Sequence, residues 1–304
     1  MPSDRATARS ETLLQPEVLT ALGRMDLVAR TVVEGFLTGL HRSPFHGPSQ
    51  DFAKHRPYQA GDEVRRIDWR VYGRTDRLYI KEFDDETSAP VRILLDTSGS
   101  LRYQPGAISK FCYAQYLAAS LAYLAIRQND RVGLAAFDRE VMQRLPARGG
   151  QRHLHALLGA LERLAPGGTT RIGATLIHEA EQWRRRGITL LISDLYDEPA
   201  EVIDAAARVR RAGHDLMIFH LLAEEEKALA VTGMVEFRDL ETGAVLVADA
   251  AAVRREYRER LSAACTLYRR EFQRAGITYT EMNTSGPLDQ ALAAFLHHRQ
   301  TRAR

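Results

Sequence analysis

The sequence predicts an α/β chain: a doubly wound, mainly parallel, Rossmann-like sheet, preceded by an N-terminal helix and a small β-rich module. Apolar runs at Val91 to Leu95, Arg131 to Phe137, Ile188 to Ser193 and Asp215 to Leu222 read as strands buried on both faces. Segments of helical period separate most of them, and that alternation implies parallel strands joined by crossovers. Two of the runs stop at a carboxylate, Asp96 and Asp194. In open α/β sheets ligands collect outside the carboxyl ends of the strands, so both acids belong to the functional edge.

Composition sets the class. A chain of 304 residues, 45% hydrophobic, fits one large α/β domain with a smaller appendage. The formal net charge, 42 − 39 = +3, is too small to imply nucleic acid by itself. The two cysteines, Cys112 and Cys265, fall in helix-like segments and fit a reduced compartment better than a disulfide scaffold. Met1 to Gln15 is polar, unlike a secretory signal. Phe111 to Ile126, interrupted by Gln115 and Ser120, reads as a buried core helix and not as a membrane span. A cytoplasmic protein without a transmembrane segment is expected.

In chain order, residues 1–12 read as a disordered tail. Residues 13–41 read as one helix, with Pro16 in its first turn and Val18, Leu22, Met25, Val32, Phe36 and Leu40 along one face. Residues 42–88 carry glycine and proline punctuation, and read as a small β module with a strand near Leu78 to Phe83. From His41 to Lys81 there are nine Lys/Arg against five Asp/Glu, interleaved with Tyr58, Trp69, Tyr72 and Tyr79. Each basic cluster has an acid beside it, which favours internal ion pairs. His41, His46 and His55 lack ligand-like spacing.

The α/β domain is placed at residues 89–300. Ala107 to Gln128 is its long apolar helix, and Val141 to Leu145 a strand beside the second run. Gly149-Gly150 breaks the chain before a leucine-rich helix, His153 to Leu164. The loop Pro166 to Thr170 leads into a helix over Ile172 to Arg186. Pro199 to Ala212 is a helix closed by Gly213. A small hairpin is expected around Glu241-Thr242-Gly243, after which Asp249 caps the helix bearing Val253, Tyr257, Leu261, Ala264, Tyr268 and Phe272 on one face. Ile277 to Glu281 is the last strand, and Pro287 to His298 the closing helix.

Three loops at one sheet edge therefore carry oxygen ligands. They offer Asp96, Ser98 and Ser100; Thr169 or Thr170; and Asp194. Hard oxygens of this kind suit Mg²⁺ or Mn²⁺. A single such loop is equally well read as a turn or helix cap. Asp197 reads as a further, solvated loop acid.

Asp96-Thr97-Ser98-Gly99-Ser100 resembles the Asp-x-Ser-x-Ser signature of the von Willebrand factor type A domain, whose metal-ion-dependent adhesion site is called MIDAS. Gly168-Thr169 and Ser193-Asp194 are similar to its second and third loops. The run Gly61 to Trp69 is similar to the mark of the domain-of-unknown-function-58 family. The resemblance covers roughly residues 13 to 300, with Gly99 and Leu101 standing where many relatives have Ala and Met. It implies a non-enzymatic, metal-assisted protein-binding domain. Ser98, Ser100 and Thr169 would meet the cation directly or nearly so, and Asp96 and Asp194 largely through water. Thr169 is favoured over Thr170 because it follows the glycine pair. A partner's acidic side chain would complete the shell, and the family's association makes a MoxR-type AAA+ ATPase or its client the expected partner. Oligomeric state is not legible.

Two other classes stand beside this reading. A metal-dependent phosphatase or phosphotransferase of haloacid dehalogenase type also places Asp after the first strand, and Asp194-x-x-Asp197 resembles its distal acidic motif. Its loop needs a second Asp where this chain has Ser98. A nucleic-acid-binding protein acting through the basic 41–81 module is the other, and steep salt dependence would mark it. No P-loop is present, so ATP hydrolysis would belong to a partner.

Overall fold

The computed structural model describes residues 15–42, 54–58, 69–82, 89–183 and 185–302. The expected tail at 1–12, His46 and all of the Gly61 to Trp69 signature except Trp69 lie outside them. The chain divides into two units, residues 1–39 with 89–304, and residues 40–88.

The N-terminal segment is two helices, α1 (Pro16–Thr20) and α2 (Met25–Arg42), and not the single helix expected. Gly23, at φ +64°, adopts the left-handed conformation that a continuing helix cannot use, and it turns the chain between them. Leu19, Val28, Ala29, Val32 and Val33 are buried. The Met25 N–H donates to Glu162 Oε1 at 2.9 Å, fixing the start of α2 to the α/β unit.

In the smaller unit, β1 (Lys54–Pro57) pairs antiparallel with β2 (Tyr79–Glu82), with Lys54 opposite Glu82. Between them lies a short helix, α3 (Trp69–Thr75), in a stretch expected to hold loops and short strands rather than long helices. Trp69 and Tyr72, one helical turn apart, meet edge to face at 6.0 Å.

The larger unit follows the strand–helix alternation: β3 (Val91–Asp96), α4 (Lys110–Arg127), β4 (Val132–Phe137), β5 (Val141–Arg148), α5 (Gln151–Arg163), α6 (Ile172–Glu181), β6 (Ile188–Ser193), α7 (Pro199–Arg211) and β7 (Asp215–Leu222). It continues with α8 (Glu224–Ala228), the strand pair β8 (Met234–Arg238) and β9 (Val245–Asp249), α9 (Ala250–Arg274), β10 (Thr278–Asn283) and α10 (Asp289–Arg302). The helix expected to reach Arg186 ends at Glu181. The short acidic α8 was not foreseen.

Six strands form one sheet in the order β10-β7-β6-β3-β4-β5. All neighbours are parallel except β4 and β5. Strands β3, β4, β6 and β7 are buried almost throughout, as their unbroken apolar runs require. Edge strand β5 alternates half-buried and exposed residues along its whole length. One face of the sheet packs on α6, α7 and α9, through Leu94, Phe137, Leu191, Ile218, Tyr268 and Phe272. The other face carries α4, with α5 and α10 packed on α4.

The strand order places the functional edge. The chain runs from β3 out to β4 and β5, then returns to β6 on the opposite side of β3. That reversal opens a crevice beyond the carboxyl ends of β3 and β6, which is the ligand position of doubly wound sheets. Asp96 ends β3, and Ser193-Asp194 ends β6.

Candidate metal centre

Asp96 is the hub of the crevice. It is completely buried, yet every oxygen of its carboxylate has a donor. Oδ1 accepts the Ser98 N–H at 2.9 Å. Oδ2 accepts the hydroxyl of Ser193 at 2.6 Å and that of Thr170 at 3.4 Å. One carboxylate thus ties together the β3 loop, the loop before α6 and the end of β6. Burial, and then the Asp194 charge, push the Asp96 carboxyl up to about 7.

Backbone bonds hold the first two loops in register. Gly167 N–H donates to Thr97 O at 2.7 Å, and Gly99 N–H to Gly168 O at 2.9 Å. Gly168 sits at φ +70°, and a Cβ there would lie 2.6 Å from Asp138 Oδ2. Thr170 is buried and bonded to Asp96, while Thr169, which follows the glycines, is half-exposed. Asp197 differs from expectation. Its Oδ2 accepts the Ile172 N–H at 2.8 Å, so it caps α6 and fastens the second loop to the third.

Asp194 is buried beside this hub. Its Oδ2 pairs with the Lys110 ammonium at 2.7 Å, and Lys110 reaches Glu226 Oε1 at the same distance. Burial pulls the Lys110 ammonium down, but the two carboxylates outweigh it and hold its pKa raised. Lys110 lies in the first turn of α4, where the helix dipole disfavours a cation, so its carboxylate partners are what retain it. Below Asp194, His220 Nε2 lies 3.0 Å from the Asp194 carbonyl. A carbonyl can only accept, so this nitrogen carries the proton. Burial holds the His220 ring down at about 4, neutral under ordinary conditions.

The fit to a hard divalent cation can be judged from the oxygens. Ser98 Oγ and Ser100 Oγ are 3.0 Å apart. Two adjacent ligands of an octahedral ion with bonds of about 2.1 Å stand at about 3.0 Å. Asp194 Oδ1 is buried with no hydrogen bond among the described residues. Three His, Cys, Asp or Glu side chains do not gather as a ligand group among the described residues, so hydroxyls must make up such a set. Ser98, Ser100, Thr170 and Asp194 are the residues that fit.

Sequence reasoning missed Lys110, Glu226 and Glu241. The last stands at the tip of the β8–β9 hairpin, and its Oε2 accepts the Thr170 N–H at 3.3 Å. Only the acid itself signalled it; its 71-residue separation from Thr170 gave no local cue.

A doubly wound α/β unit that gathers hydroxyl and carboxylate oxygens from three loops at its switch point is the class that this fold and site define. Within that class the chain belongs to the family described as protein of unknown function DUF58, which matches residues 54–266. Uncharacterized proteins of Mycobacterium tuberculosis and Mycobacterium bovis are each 29% identical over 233 residues, 76% of this chain and 73% of theirs. Among solved structures, an aerotolerance-related membrane protein from Bacteroides fragilis is 20% identical, with TM-score 0.50, covering 69% of this chain and 99% of that one. The conserved hypothetical protein BatB from Bacteroides thetaiotaomicron is 19% identical, with TM-score 0.51, over 70% and 99%. At these identities the likeness is one of fold. Among the described residues no helix is long and apolar enough to cross a membrane.

Proposed function

We propose that this chain is a metal-dependent protein-binding adaptor built on a von Willebrand type A-like domain. Ser98, Ser100, Thr170 and Asp194 would hold Mg²⁺ or Mn²⁺. When bound, the cation supplies a fixed positive charge and an exchangeable ligand position for a partner's acidic side chain. The observation that carries this reading is the convergence of three loops on Asp96, with the two serine hydroxyls 3.0 Å apart. Asp96 keeps the loops in place through its three donors. Lys110 holds one oxygen of Asp194 and leaves the other open.

The partner we favour is a MoxR-type AAA+ ATPase or its client, acting where the protein is expected to reside, in the cytoplasm. A phosphatase role for Asp96 is disfavoured. Its carboxylate has no exposure, and both oxygens already accept hydrogen bonds, so it cannot reach a phosphoryl group as a nucleophile.

The test is capture of a purified MoxR-type ATPase by immobilised protein, with Mg²⁺ or with chelator, comparing wild type and Ser98→Ala. Capture that needs Mg²⁺ and fails in the variant, at unchanged circular dichroism, supports the adaptor. Equal capture under all conditions counts against it.

A further inference from the structure

We propose that Glu241 is an internal ligand of this site, held where a partner's carboxylate would otherwise enter. The inference rests on the metal-site reading above and adds to it a residue from the chain itself.

Glu241 arrives on a separate structural element. Strands β8 and β9 pair only with each other, so the hairpin is a two-stranded ribbon outside the main sheet. Their side chains are mostly exposed, with Met234, Val245, Leu246 and Val247 open to solvent. The ribbon is held at its base, where the Ala250 N–H donates to Gly233 O and Arg254 bonds Leu229 O, and again at its tip. Asp239 turns it, accepting the N–H groups of Glu241 and Thr242. The tip then presses onto the first metal loop: a Cβ on Gly99 would lie 2.4 Å from Leu240 O. Only a glycine permits that approach of backbone to backbone.

The carboxylate so delivered is poorly served unless something else binds it. Its Oε2 takes the long Thr170 bond, while Oε1 is buried without a hydrogen bond among the described residues. Burial holds the Glu241 carboxyl raised and the Asp194 charge adds to that, while hydrogen bonding from the Thr170 N–H and the Ser100 hydroxyl favours its charged form. Glu241 therefore stands among Ser100, Thr170 and Asp194, three of the residues assigned to the cation. An oxygen without a hydrogen bond among the described residues on each of Asp194 and Glu241, which come from separate loops, is the pattern expected of two carboxylates awaiting one divalent ion. A partner's acid would then have to displace Glu241, and the ribbon can yield because few of its side chains are packed.

The experiment uses the full chain with Mn²⁺ as probe, comparing wild type, Glu241→Gln, Glu241→Ala and Ser98→Ala. Free Mn²⁺ is read by electron paramagnetic resonance, and water on the bound ion by proton relaxation. Wild type is expected to bind one Mn²⁺, and Glu241→Gln to bind it at least about tenfold more weakly with higher relaxation enhancement, since water replaces the carboxylate. Added acetate should lower that enhancement in Glu241→Ala and leave wild type unchanged. Binding lost in Ser98→Ala, with Glu241 variants equal to wild type in affinity, enhancement and acetate response, would overturn the internal ligand and spare the site. Absence of Mn²⁺ binding in wild type would overturn both.

Discussion

Lys110 shows how a single residue governs this site. Its ammonium is 3% exposed and shared by two carboxylates, while neither Asp96 nor Glu241 makes an ion pair among the described residues. Removing one member of a buried charge pair is costly, so Lys110→Met should destabilise the fold by about 3–5 kcal/mol in urea unfolding. Because Asp194 is then released, the melting temperature of the variant should rise more steeply with added Mg²⁺ than that of wild type. A small loss of stability with no added metal response would remove Lys110 from this role.

Asp96 and His220 make a second residue-scale prediction, of opposite sign. His220 is held at about 4 against an ordinary 6.5. As pH falls through that window the unfolded chain takes a proton that the folded one refuses, and stability is lost. Asp96 is held at about 7 against 3.8. As pH rises through its window the unfolded chain releases a proton that the metal-free fold keeps, and stability is again lost. The two contributions, each about 3–4 kcal/mol, oppose one another between roughly pH 4 and 6.5. Relative to wild type, Asp96→Asn should therefore gain stability with rising pH, and His220→Phe should lose it. Denaturation curves of both variants running parallel to wild type across this range would contradict the assignment.

The loops and the helices they start form the next scale, and here the sequence was readable in part. The Val91 to Asp96 run announced a strand with a carboxylate at its end, because branched apolar residues and a following turn are local signals. Asp194 was legible for the same reason. The bond from Thr170 to Asp96 was not, since it joins two loops 74 positions apart. Lys110 hid inside an apolar helix, 84 positions from the acid that it meets. Gly168→Ala tests the loop directly. Left-handed backbone with a Cβ costs roughly 1–2 kcal/mol before any clash, and the new carbon would also displace Asp138. We expect a loss of that size or more in thermal unfolding, together with weaker Mn²⁺ binding as Thr170 turns away. Metal affinity equal to wild type would show that the loop's shape does not set the site.

Over the whole molecule, the doubly wound sheet was visible in the alternation of runs and periods, and the apolar face along residues 13–41 pointed to a helix packed on the main domain; the break at Gly23 was not legible. Residues 15–42 precede the region that the family shares, yet Leu19, Val32 and Val33 are fully buried. Their burial makes α1 and α2 part of the larger unit's core. Leu19→Ala should cost about 2–5 kcal/mol, as for other fully buried leucines. A chain starting at residue 54 should unfold at a markedly lower urea concentration than the whole. If Leu19→Ala unfolds like wild type, these helices are an accessory and not a foundation.

The ribbon between β7 and α9 leaves and rejoins the body at one spot, where the Ala250 N–H donates to Gly233 O at 2.9 Å. Between that clasp and the Leu240-Glu241 tip, the arms of the ribbon can change composition while the sheet stays untouched, because most of their side chains are exposed. Grafting a foreign ribbon onto this scaffold should retune what the crevice accepts without lowering its melting point.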